Sequence, residues 1–181
     1  MTDIFEFVVK NHYDKLHQFL MTSHPWVDIM DDNGNTPLLM ASRLGHVQCV
    51  RILISHRADV LHVNRTGLNA MTLACLSGSV ETIDSLLKAT SIDDYINNSL
   101  IPPIAAAIFS GHKDAVQYLL TYHKPLYKTI TREGNSPLML SVLFERDHLI
   151  PLFKDEPDFL KNSLGMSTND IIEYKNMFMK H

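Results

Sequence analysis

Apolar residues recur along this chain in short clusters that share one spacing. Val47, Val50, Leu53 and Ile54 form one set, Val80, Ile83, Leu86 and Leu87 a second, and Val116, Leu119 and Leu120 a third. The i, i+3, i+6, i+7 pattern lays each set along one face of a helix. Tyr13, Leu16, Phe19 and Leu20 follow the same spacing near the start of the chain. Sets that return at a fixed interval point to stacked repeats rather than to one irregular core.

The residues ahead of each set recur too. Gly34-Asn35-Thr36-Pro37-Leu38 is followed by Ala41 and Gly45-His46. A shift of 33 residues gives Gly67-Leu68-Asn69-Ala70-Met71, then Ala74 and Gly78. A further 33 gives Pro102-Pro103-Ile104, then Ala107 and Gly111-His112, and a further 34 gives Gly134-Asn135-Ser136-Pro137-Leu138, then Ser141. Each unit predicts a turn, a short helix, a tight glycine turn and a second helix. Proline suits the first helical turn, where its missing N–H is no loss. Thr36 and Ser136 suit a helix cap. The small residue lets neighbouring helices approach, and the glycine suits a left-handed turn. One unit cannot bury its apolar face alone, whereas a stack can.

The run from Asp32 to His46 resembles the ankyrin-repeat signature, and Ala58-Asp59-Val60 resembles its closing turn. The resemblance is fullest over 31–63, good over 64–96 and 97–130, and partial over 131–158, where Glu145-Arg146 replaces the Gly-His pair. Residues 1–30 resemble an amino-terminal capping repeat that lacks Thr-Pro-Leu. Residues 159–181 resemble a carboxy-terminal cap: Gly165 to Ile172 would start it, and Met177 and Phe178 would pack its last helix. Lys154-Asp155-Glu156-Pro157-Asp158 reads as a charged loop. The resemblance implies a single all-α domain over 1–181, an ankyrin-repeat solenoid of stacked helix-turn-helix units with short hairpin-like loops. Four clear repeats would lie between two degenerate caps. With both ends capped, a complete array is expected, and flanking domains are compatible with it. Two departures stand out. Ala70 replaces the proline, and the third unit has Leu100 for glycine and Pro102-Pro103 for Thr-Pro, so its tip need not form the usual turn.

Composition narrows the function classes. The 181 residues are 45% hydrophobic, as in a packed soluble protein. A net charge of −4 and a pI of about 6.2 do not suit nonspecific binding of nucleic acid. The opening Met-Thr-Asp-Ile-Phe-Glu-Phe has acid where a signal peptide has base. No apolar run approaches the roughly 18 residues of a membrane span. A cytoplasmic location is the default expectation, with the nucleus also open. Cys49 and Cys75 lie in apolar stretches and read as small buried hydrophobes; a disulfide framework needs more cysteines in a shorter secreted chain.

The sequence carries no recognisable catalytic or metal-binding motif. His46 and His112 stand at the Gly-His position, where the resemblance implies structural hydrogen bonds between turns. His12 and His17 are five apart, which does not align two ligands on one helix face. His24, His56, His62 and His123 fall in expected loops and read as solvated turn residues. There is no Cys-x-x-Cys or His-Glu-x-x-His for zinc, no Gly-x-Ser-x-Gly elbow and no phosphate-binding glycine loop. Asp31-Asp32 and Asp93-Asp94 fall at repeat junctions, where solvated turn acids are the better reading. No catalytic residue, cofactor or metal is expected.

The resemblance implies binding of another protein through loop tips and the exposed face of the first helices, which form a concave groove. Carried onto this chain, the tips are Asp32, Asn33 and Asn35; Arg65, Thr66 and Leu68; Asn98, Ser99 and Ile101; and Arg132, Glu133 and Asn135. The groove positions are Arg43 and Leu44, Leu76 and Ser77, Phe109 and Ser110, and Leu143 and Phe144. Leu44, Leu76, Phe109, Leu143 and Phe144 are large and apolar, unlike a solvated face. The competing reading buries some of them against neighbouring repeats, Leu143 and Phe144 above all. The expected function is a noncatalytic, monomeric protein-interaction module: scaffold, adaptor or inhibitor. The alternative is the targeting or substrate-recruiting part of a larger protein or of a pathogen effector acting in host cytosol.

Overall fold

In the computed structural model, residues 4–23, 26–122, 131–156 and 160–178 are described. Two rows of helices run along the array. The inner row is α1 (Ile4–Val9), α3 (Pro37–Leu44), α5 (Ala70–Ser77), α8 (Pro103–Ser110), α10 (Pro137–Leu143) and α11 (Thr168–Phe178), each packed on the next. The outer row is α2 (Tyr13–Ser23), α4 (Val47–Ser55), α6 (Val80–Leu87), α9 (Lys113–Tyr122) and a 3₁₀ helix (Asp147–Phe153), also packed in series. A further helix, α7 (Ile92–Asn98), lies between the second and third units. This is the stacked helix-turn-helix solenoid that the 33-residue period predicts.

The expected start and stop signals hold the inner helices. Thr36 Oγ1 accepts from the Leu39 N–H at 3.4 Å, Pro37 occupies the first turn, and Gly45 ends α3 at φ 68°. Asn69 Oδ1 takes the same part for α5, accepting from the Thr72 N–H at 2.9 Å, so Ala70 replaces proline without loss of the cap. Ser136 caps α10 through the Met139 N–H at 3.2 Å. Glu145 keeps the left-handed turn at φ 57° without glycine, a conformation that costs an L-residue about 1–2 kcal/mol. At the amino end Asn11 does the same at φ 53°.

The core fills the space between the two rows. Leu38, Leu39, Leu53, Met71, Ile83, Leu86, Ile104, Ile108 and Leu119 are fully buried there. Each contributes about 1.5–3 kcal/mol by leaving water. Ala41, Ala74, Ala107 and Ser141 are buried where inner helices meet, as their size predicts. Cys49 and Cys75 are buried free thiols. Met139, Val142 and Ile171 form a smaller cluster that holds α11 on α10.

Four features depart from the sequence reading. The third unit has no hairpin tip: α7 runs to Asn98 and the chain then extends, with Ser99 turned inward to bond Thr72 Oγ1 at 2.8 Å. Tyr95 explains the extra helix. Its ring is fully buried, its hydroxyl donates to Leu86 O at 3.3 Å, and its carbonyl accepts from Asn69 Nδ2 at 2.8 Å. In the fourth unit a 3₁₀ helix containing Pro151 replaces the second α-helix, since proline supplies no N–H to an α-helical ladder. Glu156 is no solvated loop acid. It is 7% exposed, accepts from Ser136 Oγ, and accepts from the Leu138 N–H at 3.1 Å. Met177 does not pack the last helix; it is 69% exposed. The side chain of Phe178, together with His24, His123, Pro157 and Asp158, lies outside the described residues.

Candidate partner-binding surface

The turns that end the inner helices set a common register. Asn11, Gly45, Gly78, Gly111 and Glu145 all take positive φ at equivalent places. The residue two before each is Val9, Arg43, Leu76, Phe109 and Leu143. At α11 the register is set from the other end. Asn162 N donates to Met166 O at 3.0 Å as Thr131 N donates to Asn135 O at 3.1 Å, and Ser167 caps Asp170 as Ser136 caps Met139. Tyr174 then takes the place of Leu143. One strip thus crosses six packed inner helices: Val9, Arg43, Leu76, Phe109, Leu143 and Tyr174.

The strip reaches the surface. Val9 is 52% exposed, Phe109 54%, Leu143 42% and Tyr174 57%. The next register position adds Leu44 and Phe144, both exposed. Phe109 and Phe144 meet edge to face, with ring centroids 5.1 Å apart and planes at 88°. That arrangement favours two aromatic rings and links α8 to the turn after α10. Leu76 alone is half-buried and packs on the core. Arg43 is exposed.

Structural polar groups support the strip from below. The His46 ring bonds Val8 O through Nδ1 at 2.8 Å, and the His112 ring bonds Leu76 O through Nε2 at 3.1 Å. Arg146, where the sequence departs from Gly-His, supplies the same tie: its Nε and Nη2 donate to Phe109 O at 3.2 and 2.8 Å. The inner-helix ends that carry Leu76 and Phe109 are therefore anchored through their carbonyls. His62, expected in solvent, is half-buried and bonds Gly34 O at 2.8 Å. His17 and His56 meet edge to face at 5.6 Å.

The tips divide into two groups. Asp31 Oδ1 accepts from the N–H groups of Asn33 and Asn35, each at 2.8 Å, and Asn64 Oδ1 does so for Thr66 and Leu68, each at 3.0 Å. Desolvation pushes the Asp31 carboxyl up, but the hydrogen bonds from the Asn35 side chain and from the N–H groups of Asn35 and Asn33 together bring it below its ordinary value. The first two tips are joined by Asn64 Nδ2 to Asn35 Oδ1 at 2.8 Å and by Arg65 Nη1 to Asp32 O at 2.7 Å. Asp32, Asn33 and Arg65 are exposed, and Asn35 and Leu68 are half-buried. The second group joins Asn162 Nδ2 to Asn135 Oδ1 at 3.0 Å, with Arg132 and Glu133 exposed beside it. The Thr131 hydroxyl leads the hydrogen bonds that lower the Glu133 pKa. Between the groups stands the third unit, where Asn98 and Ser99 form no tip and Ile101 is 40% exposed.

Little here suits catalysis. Burial pushes the Cys49 thiol up to about 11 and the Cys75 thiol higher still, so neither is a ready nucleophile. Among the described residues no three His, Cys, Asp or Glu side chains gather as a metal site requires. An open cleft of about 280 Å³ on the outer row is lined by Val80, Asp114, Gln117, Tyr118 and Thr121. Beside it Asp84 accepts from Tyr118 at 2.8 Å and from Lys88 at 2.6 Å, a set of groups that satisfy one another. No described helix is long and apolar enough to cross a membrane.

Val9 and Tyr174 were not reached from the sequence. The available signal was Asn11-His12, which stands one period before Gly45-His46 with asparagine in the left-handed position.

Comparison with known proteins agrees with this geometry. The family profile described as Ankyrin repeats (3 copies) matches residues 5–98, more than half of the chain, and the chain belongs to the ankyrin-repeat family. The Drosophila melanogaster protein called DNA replication inhibitor plutonium is 36% identical over 89 residues, 49% of this chain and 51% of that protein. The Caenorhabditis elegans ankyrin repeat and KH domain-containing protein mask-1 is 33% identical over 90 residues, 50% of this chain and 3% of that protein. The chain therefore spans about half the length of the first relative and a small part of the second. The crystal structure of EF0377, an ankyrin repeat protein, superposes with a TM-score of 0.83 at 22% identity, covering 96% of this chain and 91% of that one. Ankyrin repeats are generally protein-interaction modules, and the fold is typically noncatalytic.

Proposed function

We propose that the chain is a noncatalytic interaction module, a scaffold, adaptor or inhibitor, that holds one partner protein along the inner-helix strip. The observation that carries this reading is the exposure of Val9, Leu44, Phe109, Leu143, Phe144 and Tyr174 along five of the six inner helices, with the half-buried Leu76 of α5 between them. A row of exposed large apolar side chains is costly to solubility unless something covers it. Aromatic anchors such as Phe109 dominate interface energies, and the charged tips Asp32, Arg65, Arg132 and Glu133 form a rim that sets orientation. The role of the Drosophila relative, DNA replication inhibitor, fits the inhibitor form. A cytoplasmic location and a monomeric state belong to the same proposal.

The test is affinity capture from the native cell with mass spectrometry, run beside a Phe109→Glu/Leu143→Glu variant. Partner recovery falls sharply in the variant while its thermal unfolding shifts by only a few degrees, the Phe109–Phe144 ring contact being worth about 0.5–1.5 kcal/mol. Undiminished recovery removes the strip from the account. A second reading, the targeting part of a larger protein, is favoured by the small fraction of mask-1 that the match covers. A reading frame extending well beyond His181 supports it.

A further inference from the structure

Resting on the strip reading, we infer that the partner element is a single amphipathic α-helix whose apolar residues recur every seven positions and whose acidic end meets Arg43. Three observations converge on it.

The first is spacing. The inner helices α3, α5, α8 and α10 pack in series, and packed helices stand about 8–10 Å apart. A ligand crossing them must present an apolar group at each such step on one face. Seven residues of α-helix advance about 10.5 Å and return to within about 20° of the same face. An extended strand offers same-face residues at about 6.6 or 13 Å, and its 10 Å step points to the opposite side. The helical ligand matches the repeat of Leu76, Phe109 and Leu143; the strand falls out of step.

The second is area. With about 150–250 Å² for a large side chain, the exposed fractions along the strip leave roughly 500 Å². A folded partner in a stable complex covers about 800 Å² per side. A standard interface is about 56–58% apolar, so roughly 500 Å² of apolar strip is the apolar share of one such contact and calls for a single partner element.

The third is charge. Arg43 is the one charged residue of the six in the register, and it is exposed. It forms no hydrogen bond or ion pair with the described residues, contributing only a minor field at Asp31. Lys10, at the same end, is held by Glu6 at 2.7 Å, and at the other end Lys175 faces Glu145 at 3.4 Å. Of these cations at the inner-helix ends, Arg43 is thus the one left without an ion pair among the described residues, and it lies toward the amino-terminal end, which orients an acid-ended helix.

The probe is a phage-displayed library of random 21-residue peptides selected on the full chain. The expected enrichment is for apolar residues at i, i+7 and i+14 with Asp or Glu beyond one end. A synthetic peptide of that pattern loses affinity about fivefold on Arg43→Glu and regains it when its acid is changed to lysine. It loses binding altogether on Phe109→Glu/Leu143→Glu. Enrichment of alternating apolar patterns that still depend on Phe109 and Leu143 overturns the helix and leaves the strip standing. Enriched peptides indifferent to those two substitutions overturn both. A selection that enriches nothing overturns the helix, while the capture experiment still judges the strip.

Discussion

Asn69 offers the sharpest test of how the array is held together. It is fully buried, and both ends of its amide are used. Oδ1 caps α5 through the Thr72 N–H at 2.9 Å, and Nδ2 donates to the Tyr95 carbonyl at 2.8 Å. Asn69→Ala removes the cap, worth about 1 kcal/mol. It also leaves the Tyr95 carbonyl without this donor in a dry site, which costs about 1–3 kcal/mol. The expected loss is about 2–4 kcal/mol, or about 4–16 °C in Tm for a chain of this size. Asn69→Asp keeps the acceptor but sets a carboxylate against the Tyr95 carbonyl. It is worse than alanine at pH 7 and improves as acid protonates the group and restores a donor. Urea denaturation followed by far-UV circular dichroism measures both. A change below about 0.5 kcal/mol in the alanine variant refutes the assignment, as does an aspartate variant insensitive to pH.

Two other substitutions follow from single contacts. Desolvation raises the Glu156 pKa above its ordinary value, with the bonds from Ser136 and Leu138 opposing the shift. The folded state therefore binds the proton more tightly than the unfolded chain, and this group's contribution to stability is full below the ordinary carboxyl pKa and is lost as pH rises through the folded value. Glu156→Gln removes that downward trend with rising pH, as read by urea midpoints across pH 4–7; an unchanged profile contradicts it. Glu145→Gly relieves the left-handed turn at φ 57° and gives up only an ion pair at 3.4 Å between the exposed Glu145 and the half-buried Lys175. A gain of about 0.5–1 kcal/mol is expected after the extra freedom of the unfolded chain is counted, and a loss of stability by differential scanning calorimetry contradicts it.

The repeat frame was legible because period and glycine turn agree in the first three repeats. Gly45, Gly78 and Gly111 mark the turns, and the apolar sets between them mark the outer helices. What escaped reading depends on contacts between units. The segment from Ile92 to Asn98 has no counterpart in the period, and its helix forms because Tyr95 finds a buried site that Asn69 completes. Glu156 sits in a charged run that resembles a solvated loop, and only its proximity to Ser136 and Leu138 shows otherwise. Val9 and Tyr174 were hidden because their units mark the turn with asparagine or set the register from a serine cap. Whether Phe109, Leu143 and Phe144 are exposed is a matter of tertiary packing, and the sequence left both readings open.

The central claim is that a partner covers the inner-helix strip. Hydroxyl-radical footprinting of the chain alone and with its captured partner measures this directly, residue by residue. The account predicts that labelling of Phe109, Leu143 and Phe144 falls on complex formation while Tyr118 and Tyr122 on the outer row stay as reactive as before. Unchanged labelling of the strip, with protection on the outer helices, contradicts it.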